Sequence, residues 1–318
     1  MPSRTIVNIP VTPIIGSSFQ PTGFPDIGAA TFDRPTVDGQ TEPCVLVEST
    51  QSMANRLEGT LWDDATNSPH PAIEGLPWVR VTDPDGRYLT GSRTEAHRLA
   101  SAFVREATID GTPVADVMLE KFALKADTPH APRDIAAAIF ALDPLCLLHG
   151  VFFALKGWPG QPKIARAITG VVEAHGVTPV VSGGVKTDHV RHSLGEAEGG
   201  TSEGYGMVPY TRTDYTAREI VASFAIDHNQ IRAYGLPPEA TALLETLALW
   251  EIRTLAENGM RFRTACDLTP VDNTMLDRVV PSVDDLAARI ETGMAATASM
   301  FDTAGPTDAV WTSKKASK

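Results

Sequence analysis

Three stretches of the chain combine residue types suited to holding a polyanion. The first is residues 16–28, GSSFQPTGFPDIG, a loop rich in glycine and hydroxyl groups with two phenylalanines and no Lys or Arg. Backbone N–H groups in such a loop, together with Ser17, Ser18 and Gln20, can donate to phosphate oxygens, while Phe19 offers a ring to a base. The same composition suits a structural loop whose Phe19 and Phe24 belong to the core, and no Gly-Lys-Ser/Thr follows.

The second stretch is residues 47–58, VESTQSMANRLE. A helix starting here aims free N–H groups and the side chains of Ser49, Thr50, Gln51 and Ser52 at an anion, with Asn55 and Arg56 one turn further on. A capped surface helix without a ligand accounts for the same residues. The third group is scattered: Arg93, His97 and Arg98 in one expected helix, Lys186 behind Gly183 and Gly184, then Arg191, His192, Arg212, and Arg261 with Arg263 on one strand. Arginine matches phosphate forks and stacks on bases. Each one taken singly also fits a solvated charge, and Glu251 or Asp267 could pair with Arg261 and Arg263.

The elements that must position these groups follow from periodicity. Residues 5–15 read as a strand, which Pro10 and Pro13 should confine to an edge or end early. A helix follows Ser49, with Met53, Ala54, Leu57 and Leu61 at helical spacing. Residues 62–91 read as an insertion with one short strand at 78–82. Helices are expected over 94–106, 132–142 and 162–175, the last stopping at Gly176. Strands at 177–182 and 220–226 flank a Gly-rich excursion at 183–210, expected to project as a hairpin or flexible finger. A long helix at 238–257 and an alternating run at 260–268 come next, then a last helix at 283–301 behind Ser282 and Asp285. The order predicts an α+β fold built on a split βαβ, ferredoxin-like (RRM-like) unit, whose sheet is a frequent RNA platform. One elaborated domain over residues 1–302 and a loose tail at 303–318 are expected.

Bulk composition narrows the classes. The 318 residues carry 27 basic and 39 acidic side chains, a net charge of −12, so any RNA-binding surface must be a local groove on an otherwise acidic molecule. Cys44, Cys146 and Cys266 lie far apart without CxxC or Cys/His pairing, which predicts three reduced thiols and neither zinc site nor disulfide. No apolar run reaches the roughly 18 residues of a membrane span, and residues 1–9 lack a signal-peptide core, so a cytoplasmic protein is expected. A metal-dependent nuclease would have to draw on His97, His149, His175, Asp143 and Asp267, or on a loop carboxylate such as Asp26 or Asp33. No HExxH, His-x-His or paired-carboxylate spacing supports that alternative, and His149 reads as a satisfied core histidine. No cofactor is expected.

The runs 16–28, LVESTQSMANRL at 46–57, EAHRLAS at 95–101, LDP at 142–144, LHGVFF at 148–153, SGGVK at 182–186 and GMRFRTACDL at 259–268 are long and unusual. Together, over about residues 10–268, the chain resembles the type I-G (older label I-U) CRISPR-associated backbone protein, a Cas-seven-type member of the RAMP superfamily. The resemblance implies a palm with a ferredoxin-like core, helical insertions, a thumb hairpin at about 184–210, and copies stacked head to tail on a guide RNA. It implies no enzymatic activity, and as partners the guide RNA, target DNA paired to it, copies of the same chain and other Cascade subunits. Residues 49–56, STQSMANR, are similar to the Ser-Ser-Gln-Ser-x-Lys-Arg helix start of other Cascade backbones, which lies against RNA; Asn55 stands where the Lys would be.

Overall fold

Residues 4–13 alternate between buried and exposed positions, with Val7, Ile9 and Val11 inward, and this period-two pattern places them in a strand covered on one face. The computed structural model describes residues 2–24, 27–125, 129–154, 157–186 and 208–313. In chain order its main elements are β1 (Arg4–Pro13), β2 (Thr31–Pro35), β3 (Thr41–Glu48), α1 (Thr50–Gly59), β4 (Trp78–Thr82), β5 (Tyr88–Gly91), β6 (Thr108–Ile109), β7 (Thr112–Pro113) and α2 (Pro132–Leu142). They continue with β8 (Ile168–Lys186), β9 (Val208–Asp227), α3 (Pro238–Glu257), β10 (Met260–Arg263), β11 (Cys266–Pro270), α4 (Val283–Thr297) and β12 (Pro306–Val310). The fold is mixed α+β.

A seven-stranded antiparallel sheet runs in the order β10-β11-β1-β9-β8-β3-β2. Helices α1 and α3 cover one face. Met53, Ala54 and Leu57 of α1 meet β8, and Leu243, Leu244, Leu247 and Trp250 of α3 join them in the core. The contact is tight at Gly170 of β8, where an added Cβ would lie 2.6 Å from Met53 Cγ and 2.8 Å from the Phe224 ring. Gly170→Ala is therefore expected to destabilise the fold by about 1–3 kcal/mol through overpacking, read as a lower urea midpoint.

β8 and β9 form a two-stranded ribbon paired from Ile168 opposite Ile226 out to Lys186 opposite Val208. At about 3.3 Å per residue, the 19 residues of β8 span roughly 60 Å. Their neighbours stop much sooner: β1 reaches Ile220 and β3 reaches His175, so the outer half of the ribbon projects from the sheet. The excursion expected at 183–210 is thus partly regular strand, and residues 187–207, Arg191 and His192 among them, lie outside the described residues.

A second sheet has the order β7-β6-β12-β4-β5. Its centre is β12, which runs parallel to β4 from Pro306 opposite Trp78 to Val310 opposite Thr82. The segment expected as a loose tail from residue 303 therefore supplies a central strand, with Ala309 fully buried.

Other expectations also change. β1 is flanked by β9 and, over residues 11–13, by β11, so it is interior; Pro10 keeps its pairing with Val221 on one side and accepts from the Val271 amide with its carbonyl. The helix expected at 162–175 is strand: β-branched Ile168, Thr169, Val171 and Val172 alternate inward and outward, and the 3.6-residue reading does not survive pairing on both sides. The helix expected at 94–106 is a turn at Arg98–Ala100 followed by a short helix, Ala102–Glu106, whose start Ser101 caps. The alternating run at 260–268 is a hairpin, β10 and β11: of the residues that strict alternation puts on one face, Met260, Phe262, Cys266 and Leu268 are buried, while Thr264, in the turn, is exposed.

Candidate nucleic-acid interface

Helix α1 begins where the sequence places it. Ser49 is extended at the N-cap and its Oγ accepts from the Ser52 amide at 3.2 Å, while the Met53 amide bonds the Ser49 carbonyl. By position, the amides of Thr50 and Gln51 have no intrahelical acceptor and face out of the helix start. Gln51 and Asn55 are exposed, and Thr50 and Ser52 are half-buried.

The loop of residues 16–31 is tied to the sheet at three points. The Phe19 and Tyr215 backbones exchange hydrogen bonds at 2.9 Å, the Gln20 amide donates to the Ala265 carbonyl, and the Thr22 amide donates to the Val47 carbonyl two residues before Ser49. Loop, ribbon base and α1 start thereby share one end of the sheet. Between loop and ribbon lies a cavity of about 680 Å³ lined by Gln20, Thr22, Thr31, Thr211, Arg212, Thr213 and Tyr215, with exposed Ile27 and Val181 beside it. Its polar lining is mainly hydroxyl and amide.

The arginines at this end already have partners. Arg56 donates to the Phe262 carbonyl at 2.9 Å and lies over the Phe262 ring, locking α1 to β10. Arg263 reaches buried Glu48 at 2.6 Å and the Gln20 carbonyl at 3.3 Å. Arg212 holds Asp214 at 3.0 Å beside the cavity. Arg166, hidden from sequence reading inside a segment expected to be helical, donates to the Thr50 carbonyl at 3.1 Å and adds a half-buried cation to the α1 start.

Other sequence candidates fall elsewhere. Phe19 is 1% exposed, so its ring is core and unavailable to a base. Arg93 is turned inward over Trp78 and onto the carbonyls of Leu76 and Pro77, and burial draws its pKa down to about 10 while nearby Asp143 opposes that fall. A guanidinium held there does not reach an external phosphate. His97 is exposed at the turn before Arg98, Ser18 is exposed, and Ser17 lines a separate depression beside Arg218 and Glu219. Arg261 is exposed opposite Asp267. Lys186 closes the described part of β8, and its side chain, like Arg191, lies outside the described residues.

The uncovered face of the main sheet carries Ile6, Asn8, Pro10 and Thr12 of β1, Glu173 and His175 of β8, and Glu219 and Val221 of β9. Among these residues the one ring is that of His175, which is only 6% exposed, and the carboxylates are Glu173 and Glu219. The central strands therefore offer little ring surface for stacking a base, while on the outer strand β2 Phe32 is 39% exposed.

Beneath α1 lies a buried ionic group. Glu58 takes two bonds from Arg98, at 2.6 and 2.7 Å, and His149 meets Glu251 at 3.0 Å with both side chains fully buried. His149 is the core histidine expected from sequence. Burial favours its neutral form, yet the carboxylates of Glu251 and Glu58 outweigh burial and hold its pKa above the ordinary value. Burial raises Glu251, with His149 opposing, whereas in Glu58 the charges of His149, Arg98 and Arg166 overcome burial and lower the pKa. A raised folded pKa contributes stability that is complete below the unfolded value and lost as pH climbs through the folded one. Stability in urea is thus expected to decline on the alkaline side of about pH 6.5, and His149→Gln should flatten that decline. Glu58 acts in the opposite sense, its contribution being lost as pH falls through its depressed value.

Among the described residues no group of three His, Cys, Asp or Glu could hold a metal ion, and no helix is long and apolar enough to cross a membrane. Asp143 is buried against Ser92, and Asp33 sits on the outer strand β2, so the carboxylates weighed for a nuclease do not converge. Asp26 lies outside the described residues.

The model of the CRISPR-associated protein GSU0053 family matches residues 6–179, more than half of the chain. The chain belongs to that family. The matched segment takes in most of β1, the loop that lines one side of the cavity, α1 and the inner part of β8, whereas the ribbon residues Val181, Thr211, Arg212, Thr213 and Tyr215 on the other side lie beyond it. No curated protein matches by sequence. A solved structure titled "CRISPR RNA-guided surveillance complex, pre-nicking" aligns over 98% of this chain and 96% of its own, at 10% identity and a TM-score of 0.36, a likeness too loose to bear on mechanism.

Proposed function

We propose that this member of a CRISPR-associated family is a non-catalytic, guide-RNA-binding backbone subunit of a type I-G Cascade complex. The observation that carries the reading is the meeting of three features at one end of the sheet: the open start of α1, the hydroxyl-lined cavity under the 16–31 loop, and the base of the projecting ribbon. The strand order β11-β1-β9-β8, with α1 and α3 on one face, supports reading the main sheet as a ferredoxin-like palm, and the projecting ribbon supports reading it as the thumb.

On this reading the sugar-phosphate chain passes along the α1 start and the cavity. Amides and hydroxyls of residues 49–52, Gln20, Thr22 and Thr211 hold it, with Arg166 and Arg212 supplying charge. Contacts of this kind position RNA without reading its sequence, and base pairing to target DNA supplies the specificity. The thumb of one copy presses on the next, a head-to-tail contact that generates an open helical filament whose length the RNA sets.

Co-expression with a CRISPR array tests this directly: array-derived RNA should copurify, and nucleic-acid-free protein after purification counts against it. Because Arg56 and Arg263 are engaged by a carbonyl and a carboxylate, only Arg166 and Arg212 are left to neutralise phosphate and the salt dependence of RNA binding should be shallow, each phosphate neutralised adding about 0.7 to the log-log slope. Incubation with complementary RNA and magnesium tests the absence of catalysis; cleavage abolished by Asp26→Ala or Asp33→Ala would overturn it.

A further inference from the structure

We infer that Arg98 is a positioning residue for the RNA-facing start of α1, transmitting the placement of the second sheet to that helix through Glu58. The inference rests on the RNA-binding reading of α1. Apolar packing of Met53, Ala54 and Leu57 holds α1 against β8, yet such packing is non-directional and sets the axial position of a ten-residue helix poorly. Directional bonds must do that. Arg166 grips the first turn at the Thr50 carbonyl, while in the last turn Arg56 ties the helix to β10 and Arg98 forks onto Glu58.

Arg98 is itself held from several sides. Its third guanidinium contact is to the Gly150 carbonyl at 3.0 Å, and its backbone is in the left-handed region at φ +51°, a conformation that a non-glycine residue keeps only where its surroundings impose it. Glu95 imposes part of it: its carboxylate takes the hydroxyls of Thr90, on β5, and Ser101, and its carbonyl takes the Arg98 amide at 2.8 Å. The chain of contacts Thr90, Glu95, Arg98, Glu58 thus runs from the second sheet into α1. Arg98 and Glu58 side chains are only 11% and 14% exposed. A pair so enclosed adds little net stability over apolar packing, while its fork geometry fixes one arrangement of the two elements.

The test compares full-length wild type, Arg98→Lys and Arg98→Ala in binding a fluorescein-labelled single-stranded oligoribonucleotide, at a temperature where circular dichroism shows each fully folded. Lysine keeps the charge but loses the fork, so Arg98→Lys should retain a melting temperature close to wild type and bind about tenfold more weakly, the scale of one hydrogen bond to a charged group. Arg98→Ala should bind more weakly still. The log-log salt slope should stay at the wild-type value in both, since no cation that touches phosphate has been removed. Wild-type affinity in both variants, or a slope reduced by about 0.7 as a direct phosphate contact would give, overturns the positioning role. No binding by the wild type overturns the RNA reading instead, and the two failures are therefore distinct.

Discussion

Arg263→Ala is expected to lower stability by about 3–5 kcal/mol, seen as a reduced urea midpoint, while changing RNA affinity little. The guanidinium answers Glu48, whose side chain is 1% exposed and whose second carboxylate oxygen has no hydrogen-bond partner among the described residues. Removing the arginine leaves a buried acidic side chain uncompensated directly before the Ser49 cap. The loss arises from desolvation with no matching charge, so the double variant Arg263→Met/Glu48→Leu should recover much of it. If Arg263→Ala instead kept its stability and lost RNA affinity, the guanidinium would belong to the RNA surface rather than to the fold.

Truncation after Gly305 should be more damaging still. It removes β12, which fills the middle of the second sheet, hydrogen-bonds β4 along its length and meets β6 at Thr108. Loss of about five ladder bonds at roughly 1 kcal/mol each, together with exposure of the β4 edge, approaches the 5–15 kcal/mol that typically holds a whole domain. Failure to accumulate as soluble protein, or a melting transition at least 15 °C lower, is the expected result. Asp308→Ala should behave quite differently, because the Arg80–Asp308 pair is surface-exposed and such pairs contribute about 0–1 kcal/mol. A truncated chain with an unchanged melting temperature would show that β4 does not depend on β12.

These two changes also mark how far the site was legible. The α1 cap was written in consecutive residues, because capping is a bond between a side chain and an amide three positions away. Arg166 carries no local signal, because its acceptor, Thr50, is 116 residues distant and its segment has apolar spacing that fits a helix until the neighbouring strands are known. An aromatic in a Gly-rich loop such as Phe19, and an arginine in an expected helix such as Arg93, look the same in sequence whether they face water or core. Burial separates the two cases, and burial is a property of the assembled chain.

The chain by itself determined what depends on near neighbours: the α1 start, the limits of α2 and α3 with their flanking prolines and glycine, the inward and outward faces of the strands, and the acidic balance that confines any anion site to a local surface. Tertiary structure alone decided that residues 306–310 are a central strand, that Glu173 and Glu219 stand on the uncovered sheet face, and that Arg56, Arg212 and Arg263 have partners within the protein. Each of those outcomes is a pairing between segments far apart in the chain or a consequence of which segments cover which. Local periodicity carries no record of a partner that has yet to be brought alongside.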